Sequence, residues 1–409
     1  MAFRLFKNIG PGIIIAAAFI GPGTVTLCSI AGVNFGYSLL WAVLLSTLAT
    51  IVLQQMAARI GLITESGLAQ LLRNRLNKSI WKTPVIILII LAIVLGNTAY
   101  QAGNIGGGVL GLEAIIGPLS YNFFDVKINL VALLLGGIAF FVLSQKNDKL
   151  LPQILTIMVL FMSFSFVVTA LLIRPKLPEL LSGIFLPSIP KDSLWTIIGL
   201  VGTTIVPYNI FLHASLIHKK WQGIEFLPKV KRDTYWTIGL GGVVSMCIVI
   251  CAAGSGIEKI TSAVDLAQAL SPLYGSMAKL LLGVGLFSAG MTSAITAPLA
   301  AAYVACECLG WSTESNSKKF RIIWGSVLLV GVILAAAGIK PIALIQMAQV
   351  ANGMLIFIIA GLVLWMINQQ TVMNSHVNTT WLNILGVIVL ILSILVGFKG
   401  IDGVVQIFN

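Results

Sequence analysis

The stretch IIIAAAFIGPGTVTLCSIAG, residues 13–32, is apolar and long enough to cross a bilayer, yet Gly21-Pro22-Gly23-Thr24 lies at its centre. A proline inside a helix removes a backbone hydrogen bond and clashes with the preceding turn, and glycine favours non-helical backbone. A second run, IIGLVGTTIVPYNIFLHASLI at residues 197–217, is interrupted in the same way at Val206-Pro207. One such site is typical of a simple proline kink. Two of them predict discontinuous helices, because irregular backbone at membrane depth must face protein or a watery cavity.

The composition is that of an integral membrane protein. Of 409 residues, 58% are hydrophobic and 9% are charged, whereas a soluble domain carries about a quarter charged residues. A transmembrane helix needs about 20 apolar residues. Eleven segments approach this length: 9–30, 37–58, 83–113, 128–144, 151–173, 194–217, 234–257, 275–309, 320–338, 341–367 and 382–398. The segment 128–144 is short, so ten spans is the alternative.

The breaks fall in spans one and six, which is the pattern of an inverted five-plus-five repeat whose discontinuous helices meet at a central site. We therefore predict an all-α integral membrane protein with a single transmembrane domain over 1–409. Repeat one covers about 9–173, repeat two about 194–367, and an extra helix about 382–398.

The distribution of basic residues predicts the orientation. With a cytoplasmic N-terminus, 17 of the 25 Lys and Arg residues fall in cytoplasmic segments. The positive-inside rule then predicts a multi-pass cell-membrane protein with its N-terminus in the cytoplasm and its C-terminus outside. The expected partners are the lipid bilayer and a small solute or ion. Nucleic acid is not expected, because the basic clusters are short and adjoin the spans. A monomer is compatible with the sequence.

Few titratable side chains lie in the middle of the predicted spans, where a metal site or a proton path would need them. All thirteen acids lie in loops or near span ends. Cys247 and Cys251 share a helix face, which fits either a metal pair or, as we favour, apolar packing. No Gly-rich phosphate-binding loop occurs and no buried acid cluster is evident, so we expect neither an ATP-driven pump, nor an enzyme, nor a cofactor.

Several stretches resemble the Nramp family of proton-coupled divalent-metal transporters. They are FGYSLLW at 35–41, QQMAARIGLIT at 54–64, IVPYNIFLHASLI at 205–217, GLFSAGMTSAITAPLAAAYVACECLG at 285–310 and QMAQVANG at 346–353. The resemblance runs through nearly the whole chain. It implies a LeuT-like fold with eleven or twelve helices.

The metal site of the family is altered in this chain. The first-helix family motif Asp-Pro-Gly-Asn, whose Asp and Asn bind metal, corresponds to Gly21 through Thr24. The sixth-helix motif Met-Pro-His corresponds to Val206, Pro207 and Tyr208. The resemblance implies a backbone ligand at Thr203 and a surviving Gln349. The family's third-helix acids align with Thr98 and Gln101, and its second sixth-helix histidine survives as His213.

Neutral polar residues therefore remain as candidates. The predicted substrate-contacting positions are Gly21, Thr24, Thr203, Val206, Tyr208, Asn209 and Gln349, and the possible proton or polar path is Thr98, Gln101 and His213. We expect no metal ligands, because burying a dication without a carboxylate is costly. These polar side chains could equally form hydrogen bonds with backbone groups that are left unpaired where the helices unwind.

Three functional hypotheses follow from these positions. The first is an Nramp-like secondary transporter with an altered substrate, such as a neutral or zwitterionic solute, a monovalent cation or hydrated Mg²⁺. The second is an orthodox divalent-metal transporter, for Mn²⁺, Fe²⁺ or Mg²⁺, with displaced ligands. The third is a membrane binding protein or sensor that does not transport.

Overall fold

The computed structural model describes residues 11–12, 20–123, 126–145 and 150–408. Within them the protein is almost entirely helical. Eighteen α-helices are recorded: α1 Pro22–Phe35, α2 Leu40–Thr64, α3 Leu68–Arg75, α4 Lys82–Ile90, α5 Gly96–Ile116, α6 Leu130–Ser144, α7 Leu150–Ile173, α8 Leu177–Phe185, α9 Leu194–Thr204, α10 Pro207–Lys220, α11 Leu227–Ala253, α12 Ala263–Gln268, α13 Ser271–Tyr274, α14 Ala278–Leu309, α15 Lys318–Ala336, α16 Pro341–Ile367, α17 Gln370–Met373 and α18 Thr380–Phe408.

The spans predicted from hydropathy match these helices. Nine helical segments in the described residues are long and apolar enough to cross a membrane. The short segment predicted at 128–144 is α6, and α1 forms the second half of the first predicted span. Residues 9–10 and 13–19 of that predicted span lie outside the described residues.

Both breaks begin a helix with proline. Pro22 follows Gly21, whose backbone is extended (φ −91°, ψ −176°), and Pro207 follows Val206 (φ −88°, ψ 118°). Proline suits the first helical position because the N–H that it lacks would have no partner within the helix. At the second break, α9 ends at Thr204 and α10 starts at Pro207. The sixth span is therefore two half-helices and not one kinked helix.

The broken helices occupy the centre of the bundle. In the segment formed by α9 and α10, protein buries 89% of the residues in the most apolar stretch. In α18 the corresponding share is 22%. The outer helices thus face lipid, and the central pair is shielded from it.

The third span is a long helix that packs through glycine. Helices α4 and α5 are joined by a π-helical turn at Leu91–Leu95. A methyl group on Gly103 would lie 3.0 Å from the Ala348 side chain, and one on Gly111 would lie within 3 Å of α14 backbone. Glycine at these positions lets α5 approach α14 and α16 closely.

Between α5 and α6 the described residues form a β-hairpin, which the sequence did not predict. Strand β1 (Ser120–Phe123) pairs antiparallel with β2 (Val126–Asn129). It lies between spans and does not contribute to the central site.

Candidate functional site

The two helix breaks meet through a pair of threonines. The hydroxyl of Thr24, in the first turn of α1, lies 2.9 Å from that of Thr203, in the last turn of α9. Both side chains are buried. Since the residues are 179 positions apart in sequence, this contact shows that the two breaks come together at one place in the bundle.

The first break is closely enclosed by its neighbours. A methyl group on Gly107 of α5 would lie 2.1 Å from the Pro22 ring, and one on Gly23 would lie 2.2 Å from Nε2 of Gln349 on α16. Real Cβ atoms do not approach so closely. A side chain at Gly107 would collide with the Pro22 ring, whereas one at Gly23 would have to displace the flexible side chain of Gln349, so α5 and α16 both bound the first break.

The second break carries polar groups that are buried and free to bond. The side chain of Asn209 is 1% exposed, and neither of its polar atoms has a hydrogen-bond partner among the described residues. The Tyr208 hydroxyl is buried beside Thr296 of α14 and Tyr100 of α5, without a hydrogen bond of good geometry to either, and its ring packs against that of Tyr100 with centroids 5.6 Å apart.

Helix α16 adds further unpaired atoms on a single face. Gln349 Oε1 and Asn352 Nδ2 are both buried without a hydrogen-bond partner in the described part of the chain. A buried polar group without a partner costs about 1–3 kcal/mol, so proteins rarely collect several of them without use. With Asn209 and Tyr208, these atoms supply both donors and acceptors that could contact a solute.

The electrostatic character of this region is neutral. Across the described residues, no cluster of three or more His, Cys, Asp or Glu side chains is placed to hold a metal ion. Val206, at the position of the family's methionine, is 1% exposed and offers no donor atom. The C-terminus of α9 adds only the partial negative charge of its last carbonyl groups.

The predicted substrate-contacting residues are all buried and lie in or beside the two breaks. They are Gly21, Thr24, Thr203, Val206, Tyr208, Asn209 and Gln349. Their role in binding stays a prediction.

The predicted polar path is more dispersed. Thr98 donates to the Val94 carbonyl of its own helix at 2.8 Å, and Gln101 donates to the Ala294 carbonyl of α14 at 3.0 Å. His213 Nδ1 lies 2.9 Å from Oε1 of Gln54 on α2, and its Nε2 is unpaired. These three residues bond to separate partners and form no continuous chain in this structure.

Sequence reasoning missed Tyr100 and Gln54. Each contacts a candidate residue across the bundle, Tyr208 and His213 respectively. Each is a polar or aromatic residue inside an apolar span. That pattern marks the position as unusual, but it does not reveal which residue the side chain contacts.

Comparison with known proteins agrees with this geometry. The family model described as natural resistance-associated macrophage protein-like (Nramp) matches residues 12–401. A protein of Klebsiella pneumoniae named divalent metal cation transporter MntH is 25% identical over 96% of this chain and 92% of its own length. An Aeromonas hydrophila protein of the same name is 29% identical over 73% of each chain.

Solved structures share the fold. The Eremococcus coleocola manganese transporter, crystallised with an aromatic bis-isothiourea compound, has a TM-score of 0.74 at 18% identity and covers 96% of this chain and 86% of its own. MhsT in complex with L-phenylalanine has a TM-score of 0.59 at 13% identity, covering 95% of this chain and 97% of its own. At these identities the likeness concerns the fold, and it agrees with the LeuT-like prediction.

Proposed function

Because the chain belongs to the Nramp family of membrane transporters, we propose that it is a secondary transporter of a divalent metal cation, which it binds through neutral oxygen groups. The observation that carries the proposal is the Thr24–Thr203 contact, which joins both broken helices at one buried site. The relatives' name, divalent metal cation transporter, favours a metal over an unrelated solute. It supports our second hypothesis more than our first.

The side chains at the breaks point to a hard, partly hydrated cation. Mg²⁺ binds oxygen and gives up its water reluctantly, so it usually keeps several water ligands. The hydroxyl groups of Thr24 and Thr203 and the amide oxygens of Asn209 and Gln349 can accept hydrogen bonds from such water. The water shell spreads the charge of the ion, which lowers the cost of entering a site without carboxylates.

Transition-metal selectivity has no support among these residues. Sulfur and imidazole ligands favour the softer metals, and Val206 and Tyr208 provide neither. We therefore propose that Mg²⁺ is the first substrate to test, and that Mn²⁺ is not bound preferentially.

A small neutral or zwitterionic solute is the second candidate. The observation that favours it is the same neutral set of donors and acceptors, Tyr208, Asn209, Gln349 and Asn352. Burying such a solute avoids the charge penalty that a metal ion incurs.

Uptake by proteoliposomes separates these substrates. The full-length protein would be reconstituted and tested with Mg²⁺, Mn²⁺, monovalent cations and small amino acids, with and without a pH gradient. We expect Mg²⁺ uptake that Mn²⁺ does not outcompete, and a strong loss in Asn209→Leu. Gly137→Ala is the matched control, because a methyl group there meets nothing within 4 Å.

Uptake of an amino acid without any metal uptake would contradict the metal substrate and favour the second candidate, a small neutral or zwitterionic solute. Uptake of Mn²⁺ at micromolar concentration, with Mg²⁺ ineffective, would contradict the role given to neutral oxygen groups.

A further inference from the structure

Arg59, near the end of α2, is a buried cation without a balancing acid. Its side chain is 5% exposed, and its neighbours Ala58 and Ile60 are fully buried. Nη2 donates to Oδ1 of Asn378 at 2.6 Å, and Nε has no hydrogen-bond partner. The ion pair recorded within the described residues is Lys176–Glu179, so no described carboxylate neutralises this guanidinium.

The hydrogen-bond partner of Arg59, Asn378, belongs to a group of three neutral asparagines bonded to one another, and Tyr235 of α11 also lies near the guanidinium. Asn378 donates to Oδ1 of Asn383 at 3.0 Å. Asn383 and Asn368 exchange two hydrogen bonds, at 2.7 and 2.8 Å. This triad joins the C-terminal end of α16 to the start of α18 and holds the segment between them against α2. It orients Arg59, but amide groups carry no net charge.

Both basic and acidic side chains lie beyond the asparagines, with Glu65 at the end of α2 and Glu307 of α14 close to Arg73. Arg73 and Arg75 end α3, and Nη2 of Arg75 lies 3.5 Å from Oε1 of Gln369, next to Asn368 in sequence. The positive-inside rule assigns this side of the protein to the cytoplasm.

Removing a guanidinium from water costs more than a single neutral hydrogen bond restores, unless an anion accompanies it. We propose that Arg59 binds a small inorganic anion of halide size, with Nε donating to it, where α2 meets the asparagine triad. The enclosure favours a small ion, since Asn378 Nδ2 also lies 3.8 Å from Sδ of Met56 on α2. The bound anion stabilises the attachment of α2 to α16 and α18. This site is separate from the helix breaks and does not depend on the transported substrate.

Thermal unfolding of the purified full-length protein tests the site. Chloride would replace gluconate at constant ionic strength, with phosphate as a third series. We expect the melting temperature of the wild type to rise by a few degrees as chloride increases, because a ligand that binds only the folded state stabilises it. Arg59→Gln should lose the response. Arg75→Gln, an exposed arginine on the same side of the protein, should keep it.

A flat wild-type response to chloride, or an equal rise in Arg59→Gln, would overturn the proposal. A response to phosphate alone would overturn the halide-size assignment. If Arg59→Gln does not fold, the wild type still decides the matter through anomalous scattering from bromide-soaked crystals. A bromide peak within hydrogen-bond distance of Nε supports the site, and none at saturating bromide overturns it.

Discussion

The two helix breaks have the same backbone plan but different surroundings. At the first, a methyl group on Gly107 would overlap the Pro22 ring, and one on Gly23 would displace the side chain of Gln349. At the second, Asn209 brings two buried polar atoms without partners, and Tyr208 brings a buried hydroxyl. The first break therefore sets the shape of the site, and the second supplies most of its hydrogen-bonding groups. Substitution of Gly107, which packs against the first break, should affect folding, and substitution of Asn209 at the second break should affect binding.

The largest effect on folding is expected from Gly107→Ala. Its methyl group would lie 2.1 Å from the Pro22 ring, and overpacking typically costs about 1–3 kcal/mol. We expect a lower melting temperature and less monodisperse protein on size exclusion. Gly137→Ala is the control and should behave as the wild type. Normal stability of Gly107→Ala would show that the first break is not rigidly enclosed.

A pair of asparagines tests the role of the second break. Asn209 is buried with both polar atoms unpaired, whereas Asn97 of α5 donates to the Ala297 carbonyl at 3.0 Å. Asn97→Leu should lose about 1–3 kcal/mol, because a buried carbonyl loses its donor. Asn209→Leu should keep or raise stability while transport falls strongly. Melting curves and uptake assays measure both. The distinction fails if Asn209→Leu unfolds as readily as Asn97→Leu.

The smallest effect is expected at the contact between the breaks. Thr24→Val and Thr203→Val each remove one hydroxyl of the 2.9 Å pair, and a hydrogen bond contributes about 0.5–1.5 kcal/mol net. A double-mutant cycle on unfolding should give a coupling energy of this size. Pairing Thr24→Val with Thr169→Val is the control, since Thr169 bonds within its own helix. Zero coupling between Thr24 and Thr203 would mean that the contact does not join the breaks in solution.

The sequence predicted the breaks well because their cause is local. Proline in the middle of an apolar run interrupts a helix wherever it occurs, and Pro22 and Pro207 both begin helices in the structure. Hydropathy also located the spans.

Contacts between distant helices were not predictable in this way. His213 meets Gln54 across 159 positions, and nothing in either local sequence specifies that partner. Arg59 bonds to Asn378, which is 319 positions away in sequence. The local sequence does not show that the partner of this arginine is a neutral amide and not a carboxylate. The strands at Ser120–Phe123 and Val126–Asn129 are too short to give a periodic signal.

The most direct test of the central claim, that neutral oxygen groups replace a transition-metal site, is calorimetric titration of Mn²⁺. It would compare the purified wild type with the triple variant Gly21→Asp, Thr24→Asn, Val206→Met, which restores the carboxylate, amide and thioether of the family motif. We predict no binding heat from the wild type at micromolar Mn²⁺ and measurable binding by the triple variant. Micromolar affinity of the wild type for Mn²⁺ would contradict the account.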